Sequence, residues 1–286
     1  MNFINPPVQK VKFKQFSFYL KRDDLLSEDF SGNKARKFFY FLNRDFENIK
    51  KVVSYGSNQS NAMYSLSVLC SLKSWEFEYY TEHISTFLKQ NPNGNYEDAL
   101  KNGMNIFTSQ IPKSFAKDTL FIKEGGAVKQ AEHGLKVLAK ELEEYILKNK
   151  LKNPKIFLPS GTGTSALYLQ KNLGYQVFTC ACAGDEIYLK KQFKELEIDS
   201  SYFPKILSLE KKYHFGKLYK EHIELYLELK KELDIEFDLL YDMQGLRLVL
   251  KYFKDEKELI YIHQGGLKGN ISMLSRYKYK FGELFS

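Results

Sequence analysis

The sequence has 286 residues, 43% of them hydrophobic and 15% aromatic, enough for a sizeable core that sits between one large domain and two modest ones. The net charge of +8 raises nucleic acid as a partner, but the lysines alternate with glutamates in stretches such as KELEEYILKNK and ELKKELDIEFD, the pattern of a solvated surface that also favours an anionic small ligand. No apolar run approaches a membrane span and MNFINPPVQKVKF lacks the charged-then-apolar order of a signal peptide, so a cytoplasmic protein with no membrane or nucleic-acid partner is expected.

Short segments rich in β-branched and aromatic residues alternate with longer stretches of helical period, which predicts an α/β architecture with mostly parallel strands. In chain order the strands expected are KVVSYG, FEYYT, NIFTS, KIFLP, QVFTCAC and LIYIH. The segment KQNPNGN reads as a loop. A helix is expected after Gly134, where Leu135, Leu138, Leu142 and Ile146 recur on one face. Cys180 and Cys182 alternate within QVFTCAC and read as core thiols. His83, His133, His214 and His222 lie in no ligand-spaced cluster, so no metal site is expected.

Three segments carry candidate chemistry. In YLKRDDLLSEDFSGNKARKFFYFL a Gly-Asn turn precedes Lys34 and an aromatic run follows it. Such a setting desolvates an amine, which must lose its proton to condense with a carbonyl. In YGSNQSNAMYSLSVL a strand end passes into a helix through small polar residues, and Ser60 and Asn61 fall at the first helical turn. N-capping accounts for one of them; binding a carboxylate or a ring oxygen is the other reading. In PSGTGTSALYLQ the small residues from Ser160 to Ser165 follow a strand and open a helix, where backbone N–H groups and the macrodipole favour an anion. This turn lacks the Lys-Ser/Thr of a nucleoside-triphosphate loop and is not a dinucleotide fingerprint.

These segments resemble, in order, the family of 1-aminocyclopropane-1-carboxylate deaminase and D-cysteine desulfhydrase, pyridoxal-phosphate enzymes related in fold to the tryptophan synthase β chain. The family's KRxD…GNKxRK stretch is similar to Lys21-Arg22-Asp23 and Gly32-Asn33-Lys34-Ala35-Arg36-Lys37, and its QSN segment to Gln59-Ser60-Asn61. Further matches are Glu124-Gly125-Gly126 with Gly134 beyond, the GTG turn at 161–163, FDLLYDMQG around Tyr241, and LIYIHQGG ending at Gly266.

The resemblance implies a two-domain tryptophan synthase β-like α/β fold with open, mostly parallel twisted sheets. Residues 48–121 would form a small domain closing over a larger one built from 1–47 and 122–286. The cofactor would be pyridoxal 5′-phosphate, bound covalently by Lys34, which would later move protons at the substrate carbon. Asn61 would bond the ring oxygen, and Gly161, Thr162, Gly163, Thr164 and Ser165 would hold the phosphate. Ser60 would sit over the substrate, Tyr241 beside it, and Asp242 at the pyridine nitrogen. A carboxylate there favours a protonated ring, a stronger electron sink than a hydroxyl partner gives, and tilts the expectation towards the deaminase branch.

The sequence departs from the family pattern at four places. Ala62 and Met63 stand where Gln or His usually follows, Thr164 where glycine is common, Phe215 where tyrosine is common, and Gln264 where Thr or Leu is common. The expected activity is deamination of a small amino acid of the aminocyclopropane-carboxylate type. The alternatives are D-cysteine desulfhydrase or another D-amino-acid β-eliminase, and a homologue that binds pyridoxal phosphate or an amino acid without turnover. A homodimer is the default expectation for such a soluble enzyme.

Overall fold

The computed structural model describes residues 5–27, 30 and 32–285; Met1–Ile4 of the opening segment, and Glu28, Asp29 and Ser31 of the lysine segment, lie outside them. The strands are β1 (Val8–Phe13), β2 (Phe16–Lys21), β3 (Lys51–Tyr55), β4 (Glu76–Tyr80), β5 (Met104–Phe107), β6 (Thr119–Ile122), β7 (Lys155–Ser160), β8 (Val177–Ala181), β9 (Lys205–Ile206) and β10 (Leu259–Ile262). The helices are α1 (Asn33–Leu42), α2 (Asn61–Lys73), α3 (Thr86–Gln90), α4 (Gly94–Lys101), α5 (Ala131–Lys148), α6 (Thr164–Asn172), α7 (Glu186–Leu196), α8 (Lys220–Leu233), α9 (Asp242–Tyr252) and α10 (Gly269–Lys280).

Two sheets result. One has the order β1-β2-β10-β7-β8-β9, the other β5-β4-β3-β6. Every pairing is parallel except the β1–β2 hairpin. The chain leaves the larger sheet after β2, builds the smaller one, and returns at β7. Parallel strands are covered by helices on both faces, and β10, Leu-Ile-Tyr-Ile, is accordingly buried at every position. Each of the six strands expected from sequence is present. β1 and β2 are not among the expected strands; in β1, the edge strand, lysines fill the outward positions, where they discourage pairing with another chain.

The expected helix after Gly134 is α5, but it begins at Ala131 and Gly134 lies inside it. A Cβ on Gly134 would stand 1.9 Å from the Arg36 carbonyl oxygen, so the missing side chain lets α1 and α5 cross in contact. Leu135, Leu138, Leu142 and Ile146 are buried against β7 and β10 neighbours, each burial stabilising the fold by about 1.5–3 kcal/mol. On the other side of α1, Ala35, Phe38 and Phe41 enter the core of the four-stranded sheet. The first turn of α1 therefore sits where the two sheets meet.

Candidate active site

The loops that follow β3, β6, β7, β8 and β10 all open onto one cavity of about 880 Å³. This is the carboxyl edge of the parallel strands, where open α/β sheets bind ligands.

Lys34 lines this cavity from the first turn of α1. Its neighbours fix it. A Cβ on Gly32, at φ 37°, would meet the Gln264 carbonyl oxygen at 1.9 Å, so that position accepts only glycine. The Asn33 N–H donates to the Gln264 carbonyl (2.8 Å), and its side-chain amide donates to Gln264 Oε1 (2.9 Å) and Ser165 Oγ (3.4 Å). Gln264 Nε2 in turn donates to the Pro159 carbonyl at 2.6 Å. Gln264, a departure from the family pattern, thus clamps the lysine turn to the end of β7.

Among the described residues Lys34 Nζ donates only to Asn33 Oδ1, at 3.1 Å. Burial lowers the amine from 10.5 to about 8, with the Asp238 carboxyl pulling the other way. Lys37, one turn on, lines the same cavity, is buried, and donates to the Gly125 carbonyl at 2.9 Å. Burial, then the charge of Lys34, hold its amine well below the ordinary value. Among the described residues neither lysine has a carboxylate in ion-pair reach, which leaves this wall short of negative charge.

The anion turn faces them. Gly161, Thr162, Gly163 and Ser165 line the cavity, whereas Thr164 is fully buried, outside it, with its hydroxyl 3.1 Å from that of Thr162. Gly163 takes the left-handed conformation (φ 73°), and a Cβ there would stand 2.3 Å from Phe193, so the glycine requirement falls at 163 and Thr164 starts the helix in ordinary geometry. The first bond of α6 runs from the Leu167 N–H to the Gly163 carbonyl, so the preceding N–H groups are left for a ligand at the positive end of the helix.

Ser60 and Asn61 also line the cavity. Ser60 is the N-cap of α2, its Oγ accepting from the N–H groups of Ala62 (3.1 Å) and Met63 (3.4 Å). Its hydroxyl also bonds the phenol of Tyr79. Gln59 is structural: its side chain donates to the Asn93 carbonyl and accepts from the Tyr96 N–H, tying α2 to α4. Asn61 Oδ1 accepts from Asn95 (2.7 Å), which turns its NH₂ towards Gly266, where a Cβ would meet it at 2.7 Å.

The Tyr241 ring lies against Gly161, whose Cβ position is 3.3 Å from it, and meets Phe215 with centroids 5.2 Å apart. Asp242 reaches the cavity from a buried position, with Oδ1 accepting from the Tyr261 hydroxyl (2.7 Å) and Oδ2 from the Asp238 N–H (2.9 Å). Burial raises its pKa; His263, with Nδ1 at 3.6 Å, and the Tyr261 bond counter that.

Three residues of the cavity wall, Lys37, Glu124 and Arg276, and Asp238 just behind it were missed by sequence reading. Lys37 had a usable signal, since i+3 on a helix shares a face with Lys34. Asp238 caps the turn before α9, Oδ1 accepting from the Leu240 and Tyr241 N–H groups, while its buried Oδ2 has no partner among the described residues. Burial, then the charge of Asp242, push its carboxyl up to about 8. Glu124 lines the cavity after β6, its carboxyl raised by burial and then by Glu82.

Lys21, Asp23 and Arg36, which carried part of the resemblance, stand outside the cavity. Arg36 grips Asp23 with two nitrogens (2.9 and 2.8 Å) and Glu141 with two (2.9 and 2.7 Å), and Lys21 adds a contact to Glu141 at 2.8 Å. This part of the motif holds α1 to β2 and α5.

No protein-family model matches the sequence, and no curated protein matches it either. Solved structures do. A crystal structure of an ACC deaminase homologue superposes with a TM-score of 0.76 at 17% identity, covering 96% of this chain and 93% of that one. A hydrogen sulfide-producing enzyme from Fusobacterium nucleatum gives 0.65 at 14% identity over 92% and 96% of the two chains. A T.th. threonine deaminase gives 0.63 at 13% identity over 92% of each. The chain has the fold these proteins share, the tryptophan synthase β-like α/β architecture expected from sequence.

Proposed function

We propose that this chain is a pyridoxal-phosphate enzyme acting on small amino acids, a deaminase of the aminocyclopropane-carboxylate type. One observation carries the reading: a lysine amine lowered to about 8 shares a cavity with a helix N-terminus and with a second buried lysine that has no counter-anion. That combination fits an aldehyde with an anionic tail. The names of the structural neighbours, a deaminase homologue, a sulfide producer and a threonine deaminase, support the class of chemistry.

The residues fit the cofactor as follows. Lys34 would hold the aldehyde, Asn61 the ring oxygen, and Asp242 the ring nitrogen. The N–H groups and hydroxyls of Gly161, Thr162, Gly163 and Ser165 would hold the phosphate, with Lys37, whose protonated form an anion beside it would favour again, supplying the balancing charge; Thr164 supports the turn from behind. When bound, the cofactor supplies an electron sink for the carbon that loses a proton. Lys34 moves that proton, because an amine near 8 exchanges it at neutral pH. Ser60 would turn its hydroxyl from Tyr79 to the substrate carboxylate, and Tyr241 shields the site from water and offers its phenol. The 48–121 unit is proposed to close over the cleft, since α3 and the loop after it contribute Phe87, Leu88 and Asn91 to the cavity wall.

β-Elimination by a D-cysteine desulfhydrase-like enzyme is the alternative favoured by the sulfide-producing neighbour. Phe215 favours binding without turnover, since it removes a phenol from the cavity wall; Ala62 is buried and does not line the cavity. A panel of D- and L-amino acids with aminocyclopropane-carboxylate separates the three by 2-oxo acid, ammonia and sulfide. Absence of product from every substrate removes both enzyme readings. A visible cofactor band in the purified protein that vanishes in Lys34→Ala supports the cofactor assignment, and its absence after reconstitution overturns it.

A further inference from the structure

Three cations line the cavity, Lys34, Lys37 and Arg276, and the proposed function uses two. Arg276 lies on α10 at the exposed rim of the cavity, and its bond to the Gly216 carbonyl sets it next to Phe215, which itself packs on Tyr241. Its guanidinium is held in place: Nη2 donates to the Gly216 carbonyl at 2.9 Å, and Nη1 stands 3.2 Å from Met273 Sδ. Neither partner is charged. Among the described residues no carboxylate stands in ion-pair reach of Arg276. A guanidinium has five N–H donors, so most of its fork remains unused.

The cavity volume points the same way. About 880 Å³ is near the top of the roughly 300–1,000 Å³ range of small-ligand pockets, more than a cofactor and a three-carbon amino acid require. Ser272, one turn before Arg276, and Ser275 add hydroxyls to that end of the cavity. An arginine pinned at one edge by neutral acceptors, at the rim of a roomy cavity, is arranged to bind an anion through two parallel bonds.

We propose that the substrate is an amino acid whose side chain ends in a second anionic group, and that Arg276 is the residue that selects it. This rests on the amino-acid reading above and adds the substrate class. With the amino group at Lys34 and the α-carboxylate at the N-terminus of α2, the side chain extends past Phe215 to the guanidinium. Carboxylate and phosphate share the chemistry, and the choice between them is open to direct comparison.

The test titrates cofactor-loaded protein with matched pairs, aspartate against asparagine, glutamate against glutamine, and O-phosphoserine against serine, in both enantiomers, following the cofactor spectrum. The charged member of at least one pair is expected to bind ten times tighter or more, the pair identifying the anion. Arg276→Gln should reduce that ratio to below threefold, and Arg276→Lys should keep part of it. The ratio is the readout because a fold defect weakens both members alike. Equal affinities in the unmodified protein, or a ratio unchanged in Arg276→Gln, overturn the proposal while a normal cofactor band leaves the broader function standing. Absence of the band overturns both.

Discussion

Gly32 and Gly265 touch backbone to backbone: a Cβ on Gly265 would lie 2.9 Å from Gly32 Cα, and one on Gly32 would lie 1.9 Å from the Gln264 carbonyl oxygen. Two segments more than 200 residues apart thus set the position of Lys34 by the absence of side chains. Gly32→Ala must displace backbone on both sides and should cost about 2–4 kcal/mol, from overpacking plus a positive φ. A fall in Tm of about 5–10 °C together with loss of cofactor retention is expected. A variant with unchanged Tm and a normal cofactor band would show that the contact does not position the lysine.

The Lys34 amine is lowered by burial to about 8, and Asp238 opposes the shift. In cofactor-free protein the rate of pyridoxal-phosphate attachment should therefore rise with pH, about tenfold per unit while the amine is mostly protonated, and level off above about 8. Asp238→Asn removes the group that favours the charged amine, so the inflection should move to lower pH. An inflection above 10, as for an exposed lysine, would remove desolvation as the cause.

Much of the fold is legible because parallel strands buried on both faces must be apolar along their whole length, as in LIYIH and KIFLP. β1 is hidden because its edge position demands lysines, and β6 because its four residues sit between loops. The helix-start glycines and small polar runs disclose Lys34, Ser60 and the 160–165 turn. What local sequence cannot disclose is partnership across the chain. Gln264 looks like a departure until its bonds to Asn33 and Pro159 appear, and the structural role of Arg36 in the lysine motif shows only once Asp23 and Glu141 are seen around it. Asp238 escapes because an aspartate before a helix is an ordinary cap, and only tertiary burial leaves its second oxygen unpartnered.

Loss of Lys37 should weaken cofactor retention without abolishing covalent attachment. One hydrogen bond between charged groups contributes about 1.5–3 kcal/mol, so Lys37→Met should raise the dissociation constant by roughly 10–150-fold. Methionine keeps the length of the buried side chain and removes an amine whose burial is unfavourable, so stability should hold or rise. Equilibrium dialysis of the cofactor, with Tm in parallel, checks this; unchanged retention would show that the α6 turn holds the phosphate alone.

The Arg36–Asp23–Glu141–Lys21 cluster predicts an acid-sensitive fold. Burial raises the Glu141 carboxyl, but hydrogen bonds and charge from Arg36 and Lys21 outweigh it and leave the group below its usual 4.5. A lowered carboxyl stabilises fully above the unfolded value and loses that contribution as pH falls through the folded one. Stability should therefore decline below about pH 4.5. Glu141→Gln leaves two buried cations facing one carboxylate, at a cost of about 3–5 kcal/mol and a Tm lower by about 10 °C. Its decline with acid should also be shallower, since one titrating group is gone. Thermal unfolding at pH 7 and at pH 4 measures both effects, and an unchanged acid limb would move the sensitivity elsewhere.

Asp242 and Tyr261 separate a catalytic from a structural reading of the same carboxylate. The Tyr261 hydroxyl donates to Oδ1 at 2.7 Å, and both side chains are buried. Tyr261→Phe keeps the ring in its contacts with Phe18 and Phe157 and removes one donor from the carboxylate. The carboxyl, already raised by burial, should then rise further and be less often ionised near neutral pH. If Asp242 holds a protonated ring nitrogen, kcat should fall about tenfold at pH 7, a change of about 1.4 kcal/mol, and the acid limb of the pH–rate profile should move to higher pH. Asp242→Asn should lose more activity and show no such limb. If the carboxylate serves only to hold the 238–242 turn, Tyr261→Phe will lower Tm while the pH profile of the remaining activity stays where it was.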